Sequence, residues 1–166
     1  STSTTWRNRS KNSIRSEVRG MVIGIMGESC TGKSFLAEQL KSALHAQVYT
    51  GRDYLRLAGN EAAAQALFCK KLQEAVEGES VIYVISEKEH LTLLPDRAIR
   101  ILVTADLDAI KNRFALRMHG TLPAPVAAML EKKHGCFDNE AHHIHVVAGQ
   151  YDPDKVCAEI CGFAGQ

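Results

Sequence analysis

Residues Gly27 to Ser34 read GESCTGKS and fit the spacing G-x-x-x-x-G-K-S/T at every fixed position. Each fixed position has a physical task. The glycines let the backbone turn tightly, so that successive N–H groups can surround phosphate oxygens. A helix that starts at the end of the loop adds its N-terminal dipole. Lys33 reaches the β- and γ-phosphates, and the Ser34 hydroxyl ligates Mg²⁺. The whole stretch Gly27, Glu28, Ser29, Cys30, Thr31, Gly32, Lys33 and Ser34 is therefore expected to cradle a nucleoside triphosphate, ATP, with Mg²⁺. A lysine-bearing turn that binds nothing is the bland alternative. It accounts less well for the context, because an apolar run precedes the loop and a helical pattern follows it, as the motif demands.

That loop needs a strand to deliver it and a helix to receive it. Met21 to Met26 is an apolar run, and Lys33 to Leu44 carries Leu36, Leu40 and Leu44 on one stripe. Further strands are expected at 47–50, 80–86, 98–104 and 143–147, the second of them (SVIYVIS) apolar enough to be buried on both faces. Further helices are expected from Glu61, capped by Asn60, to Glu77; from Asp106 or Asp108 to Met118; from Pro125 to Lys133; and from Pro153 to Cys161. Segment 51–59 reads as a turn entering a short helix. Strand and helix alternate throughout, which predicts an α/β fold: a three-layer sandwich with a central, mainly parallel sheet.

The chain has 166 residues, enough for one domain with its own core. No apolar run approaches the length of a membrane span. The five cysteines are scattered and odd in number, which argues for a reducing, cytoplasmic setting rather than a disulfide framework. Residues 1–20 carry five basic groups against Glu17, a net +4, which leaves −3 on 21–166 of the chain's +1. A nucleic-acid-binding arm is one reading of that tail. The favoured reading is a vector-derived segment or a misread start before a natural Met21, because the tail has little hydrophobic periodicity. The expected organisation is thus a tail, 1–20, and a single domain, 21–166. The expected partners are a nucleotide and a small acceptor, not a membrane or a nucleic acid. No feature of the sequence sets an oligomeric state.

Size and the absence of an N-K-x-D guanine signature point away from GTPases and mechanical ATPases and toward a small-molecule kinase. Two further segments carry a resemblance. YTGRDYLRLA (49–58) resembles the T-G-x-x-Y-R segment of cytidylate kinases, and LPDRAIRILVTADLDAIKNRFALRM (94–118) resembles the F-P-x-A-x-x-K-I-F-L-T-A-S-x-x-x-R-A-x-R-R stretch of the same family. Together with the loop, the resemblance covers most of 21–160 and is to P-loop nucleoside monophosphate kinases, nearest the cytidylate kinase-like group. It implies the P-loop NTPase fold in its nucleotide kinase-like form and a mobile lid, here at about 118–142. Two departures stand out. The family's Asp-Gly-Arg-Asp after the third strand is replaced by Ser86-Glu87-Lys88-Glu89, and the lid is poor in arginine. Glu87 then stands where the acidic group near Mg²⁺ belongs. Lys88 stands where an acceptor-binding arginine would be, and a lysine cannot grip a phosphate bidentately.

The resemblance also gives roles to residues outside the loop. Arg113 and Arg117 are four apart on one helical face, suited to clamping the transferring phosphoryl group; a solvated basic face is the competing reading. Arg52 and Arg56, four apart, stand where the acceptor's phosphate or base would bind, with plain surface charge as the competing reading; Asp53 between them is either a general base for an acceptor hydroxyl or, the favoured reading, the ion-pair partner of a neighbouring arginine. His134, Cys136, His142, His143 and His145 fall in the lid, where some adenylate kinases hold a structural zinc, but their spacing fits no standard finger. Cys157 and Cys161, four apart on a helix, are expected in the core. The leading function is transfer of the ATP γ-phosphoryl to a small acceptor, a nucleoside monophosphate on the resemblance. The alternatives are a nucleotide-binding regulator with little transferase activity and a kinase for a non-nucleotide metabolite such as a sugar acid or shikimate.

Overall fold

The computed structural model describes residues 21–28, 30–51, 53–75 and 80–164. The expectations for the tail 1–20, for Ser29 and for Arg52 lie outside them. Five strands, β1 (Val22–Met26), β2 (Gln47–Thr50), β3 (Val81–Ile85), β4 (Ile99–Thr104) and β5 (Ile144–Val147), form one sheet in the order β2-β3-β1-β4-β5. Every neighbouring pair is parallel. The helices are α1 (Lys33–Leu44), α2 (Glu61–Ala75), α3 (Leu107–Arg117), α4 (Ala124–Lys133) and α5 (Pro153–Ala164), with short 3₁₀ helices at Asp53–Leu57 and Lys88–Leu93. None of the described helices is long and apolar enough to cross a membrane.

The sheet is covered on both sides, so the central strands are apolar on both faces. Residues of β1 and β3 are buried at every position. Ile23 and Ile25 point to one core with Leu36 and Leu40 of α1 and Ile160 of α5. Val22 and Met26 point to the other, with Phe68 and Leu72 of α2, Tyr54 and Phe137. Each fully buried side chain of this size contributes about 1.5–3 kcal/mol of burial free energy, so the two layers hold the sheet from both sides. Gly24 of β1 is tight for a reason: a Cβ there would sit 2.4 Å from Leu94 Cδ1, and the missing side chain lets the end of the second 3₁₀ segment close over the strand. A third, smaller cluster joins Ile110 of α3, Leu130 of α4, Ala105 and Cys30. It is this cluster that seats α4 beside the loop.

The sequence reading places every strand within a residue of its observed ends. Helix α1 ends where His45 adopts φ 52°, its N–H bonding to Lys41 O. Asn60 accepts the N–H of Ala63 at 2.8 Å and opens α2 as an N-cap. Three elements differ. Helix α5 continues to Ala164 and leaves Cys161 exposed instead of buried, with Cys157 half-buried beside the first core. The 3₁₀ helix at Lys88–Leu93 has no counterpart in the sequence reading. The stretch Gly135–Glu140, within the lid expected at about 118–142, is fastened to the body by Phe137, 2% exposed in the second core.

Candidate functional site

The phosphate loop leaves the carboxyl end of β1, at the centre of the sheet. Met26 lies in register with Ile85 of β3 and Leu102 of β4, and Gly27 N–H continues the ladder to Ile85 O at 3.2 Å. Ligands of open parallel sheets collect beyond such strand ends. Gly27 has no room for a side chain, because a Cβ would fall 2.4 Å from the backbone oxygen of Val103. Cys30 (φ 65°) and Gly32 (φ 88°) are both left-handed, and this turn aims the chain into α1. Gly32 O then accepts Leu36 N–H, the first bond of the helix.

Lys33 is 5% exposed and donates from Nζ to Glu28 O at 2.5 Å. Thr31 Oγ1 donates to the same carbonyl at 2.8 Å. The lysine is thereby folded back across its own loop. Burial pulls its ammonium down to about 8, with Arg117 adding to the effect and Cys30 and Glu28 opposing it. An ammonium so poorly solvated gains from an anion placed beside it. Ser34, one residue on, is exposed in the first turn of α1. Its hydroxyl, next to the lysine, is of the right kind for Mg²⁺ carried by a bound nucleotide.

Both arginines of α3 come to the loop. Arg113 donates from Nη1 to Cys30 O at 3.0 Å and so ties α3 to the loop across 83 positions of chain. Arg113 and Arg117 line a cavity of about 500 Å³ together with Cys30, Thr31 and Gly32. Its other walls are Phe35 and Leu116, both well exposed, and the loop after β5 at Ala148, Gly149 and Tyr151. The lining thus combines loop backbone and two cations with apolar and aromatic surface, a combination that suits a nucleotide's phosphates and base.

A second cavity, about 260 Å³, lies between the segments that follow β2 and β3. Tyr54, Glu61, Gln65, Glu87, Glu89 and His90 line it, with Thr92 and Leu93. Gln65 Nε2 donates to Tyr54 OH at 3.2 Å, which in turn donates to Glu61 Oε1 at 3.4 Å. No lysine or arginine lines it among the described residues. Of the cations expected near an acceptor, the two among the described residues, Arg56 and Lys88, are engaged elsewhere. Arg56 is largely exposed and pairs with Asp53 at 3.2 Å. Lys88 pairs with Glu140 at 3.5 Å. Asp53 accepts Thr50 N–H at 2.9 Å and Thr50 Oγ1–H at 2.8 Å. Burial works to raise its pKa, but the two Thr50 bonds and Arg56 outweigh that and hold the carboxyl below its ordinary value. Asp53 therefore serves the turn after β2. Tyr83 OH secures the same turn by donating to Gly51 O at 2.6 Å.

The lid residues arrange themselves around Glu28, a side chain that the motif leaves variable. Its carboxylate accepts Gly135 N–H at 3.1 Å and meets His134 Nδ1 at 3.1 Å. These contacts span more than 100 positions and have no local signature. Helix α4 packs on α3, with Lys111 and Glu131 paired across them. His134, His142 and His145 line one cavity with Glu28 and Asp138, the His142 and His145 ring centroids 6.0 Å apart, but no three of the lid's histidine and cysteine ligand atoms come within 4.8 Å of one another. His143 Nδ1 accepts Arg100 N–H at 3.0 Å, His145 Nε2 bonds Thr104 Oγ1 at 2.8 Å, and Cys136 packs against the second core, its thiol pushed up by burial. Among the described residues the only three potential ligands that gather within 4.8 Å are Glu87, Glu89 and His90.

No family model matches the chain, and no curated protein matches its sequence. Solved structures do match. A putative kinase from Chloroflexus aurantiacus is similar over 86% of this chain and 97% of its own, with a TM-score of 0.62 at 17% identity. A gluconokinase from Sinorhizobium meliloti is similar over 87% and 91%, with a TM-score of 0.56 at 15% identity. A shikimate kinase from Aquifex aeolicus is similar over 84% and 93%, with a TM-score of 0.50 at 21% identity. The chain thus has the P-loop kinase-like fold. The finer likeness to cytidylate kinases finds no counterpart in these matches.

Proposed function

We propose that this protein binds ATP with Mg²⁺ and transfers the γ-phosphoryl to a hydroxyl of a small, polar acceptor. The observation that carries the reading is the 500 Å³ cavity, on which the phosphate loop and both α3 arginines converge. In the transfer, the acceptor oxygen bonds the γ-phosphorus, the bond from that phosphorus to ADP breaks, and the hydroxyl proton leaves. The protein's share is positioning and charge. Loop N–H groups and Lys33 hold the phosphates, and Arg113 and Arg117 meet the charge that develops on transfer. Ser34 would hold the Mg²⁺, which would supply positive charge to neutralise the phosphates.

The acceptor side favours a hydroxyl-rich metabolite over a nucleoside monophosphate. Among the described residues its cavity is lined by no lysine or arginine, so no cationic side chain there offers an acceptor phosphate a charge-assisted donor. The gluconokinase and the shikimate kinase that share the fold support the same preference. The test is ADP release from Mg·ATP with a panel of polyols, sugar acids and nucleoside monophosphates. Release that depends on a polyol or sugar acid and disappears in Lys33→Ala supports the reading. Release driven by a nucleoside monophosphate alone would overturn the acceptor assignment, and tight ATP binding with no transfer would overturn the reaction.

A further inference from the structure

The group Glu87, Glu89 and His90 stands outside the nucleotide cavity, and none of the roles above uses it as a unit. Its geometry follows from the local fold. His90 N–H closes the first turn of the 3₁₀ helix on Glu87 O at 3.1 Å. Glu87 is the extended N-cap of that helix (φ −127°, ψ 132°), and the closed turn brings it together with Glu89 and His90. One ligand atom from each comes within 4.8 Å of the others. Two carboxylates so close repel unless a cation lies between them. The adjacent Lys88 turns away to Glu140.

His90 supplies the independent observation. It is 6% exposed, held edge-on to Tyr54 with ring centroids 6.0 Å apart, yet it lines the cavity that Glu87 and Glu89 face. Its Nδ1 is the one buried side-chain nitrogen or oxygen among the described residues with no hydrogen-bond partner. Such orphans are rare and ask for an explanation. With no partner at Nδ1, that nitrogen can carry a lone pair.

We propose that Glu87, Glu89 and His90 bind a divalent transition-metal ion independently of nucleotide. Two carboxylates and an imidazole select Mn²⁺ or a similar borderline ion over Mg²⁺, which prefers oxygen and keeps its water. Three ligands from one turn occupy one side of the ion and leave its other positions open to the cavity. The site differs from the Mg²⁺ brought by ATP, to which the sequence reading assigns Glu87. It holds whether or not the proposed transfer does, because nothing in it requires nucleotide.

The experiment is titration of the nucleotide-free full chain with MnCl₂, followed by electron paramagnetic resonance of free Mn²⁺ and by pulsed detection of nitrogen coupling on the bound ion. One saturable Mn²⁺ per chain with imidazole nitrogen coupling is expected. Glu89→Gln, at an exposed position that tolerates the change, should weaken binding by about tenfold or more, and His90→Gln should remove the nitrogen signal. Glu61→Gln, which removes charge from the same cavity but not from the trio, should have a much smaller effect. Absence of saturable binding, bound Mn²⁺ without nitrogen coupling, or equal losses in Glu89→Gln and Glu61→Gln would each overturn the proposal, the last by showing a diffuse acidic patch.

Discussion

The Glu28 carboxylate accepts the backbone N–H of Gly135 at 3.1 Å and fastens the phosphate loop to the far end of the lid segment. One residue thus faces two ways: its carbonyl holds Lys33, and its side chain holds the lid's exit.

Replacing Glu28 by Ala leaves Gly135 N–H without its acceptor and removes a charge-assisted bond. The expected loss is about 1–3 kcal/mol of stability, with faster amide exchange confined to 134–140. Urea unfolding with hydrogen exchange by mass spectrometry checks it. Unchanged exchange at Gly135 would show that Phe137 alone anchors the segment.

Lys33 makes the unliganded protein pH-sensitive in a defined sense. Its folded pKa, about 8, lies below its ordinary value of 10.5. Below pH 8 the folded state carries a buried ammonium that the unfolded chain solvates freely. Between pH 8 and 10.5 the unfolded chain binds the extra proton, so this group's contribution to stability improves as pH rises. Lys33→Met should accordingly stabilise the unliganded protein at pH 7, by on the order of 1–3 kcal/mol, with the gain fading toward pH 10. ATP needs the charged form, so its affinity should fall about tenfold per pH unit above 8 and binding at pH 9 should take up a proton. Calorimetry in buffers of different ionisation enthalpy reads that uptake.

The two α3 arginines should separate. Arg113 already holds Cys30 O, so Arg113→Ala should loosen the loop and weaken ATP binding. Arg117→Ala should lower turnover more than ATP affinity, by about 10²–10⁴-fold, as with lost oxyanion donors and arginine fingers. Steady-state kinetics beside nucleotide titration distinguishes them. Unchanged turnover in both variants would leave α3 a solvated basic face.

Gly27→Ala pushes a methyl group against a backbone oxygen at 2.4 Å, and a backbone atom cannot swing aside. The expected cost is about 1–3 kcal/mol, as for overpacked sites, together with loss of ATP binding. Thermal melts with and without ATP test both parts.

Much of this was legible in the chain, for identifiable reasons. Strands buried on both faces leave apolar runs, and α1 leaves a leucine stripe, so the sheet and the helix that positions Lys33 could be read locally. The loop spacing gave the cavity's floor. The contacts that complete the site were not legible: Arg113 meets Cys30 across 83 positions and Glu28 meets His134 across 106. Nothing within either segment encodes the other. Phe137 is the one signal overlooked, a lone large apolar side chain in the polar stretch HGCFDNE, and such a residue is more often an anchor than a hinge. The resemblance singles out Glu87 and Lys88 but not His90, and only the fold shows that this histidine is buried.

The most direct measurement is transfer of label from γ-³²P-ATP to a small hydroxyl acceptor, followed by chromatography, in the wild type and in Lys33→Ala. The account predicts labelled acceptor and stoichiometric ADP in the wild type, and neither in the variant. Label that appears only as inorganic phosphate, or equal transfer by both proteins, would contradict it.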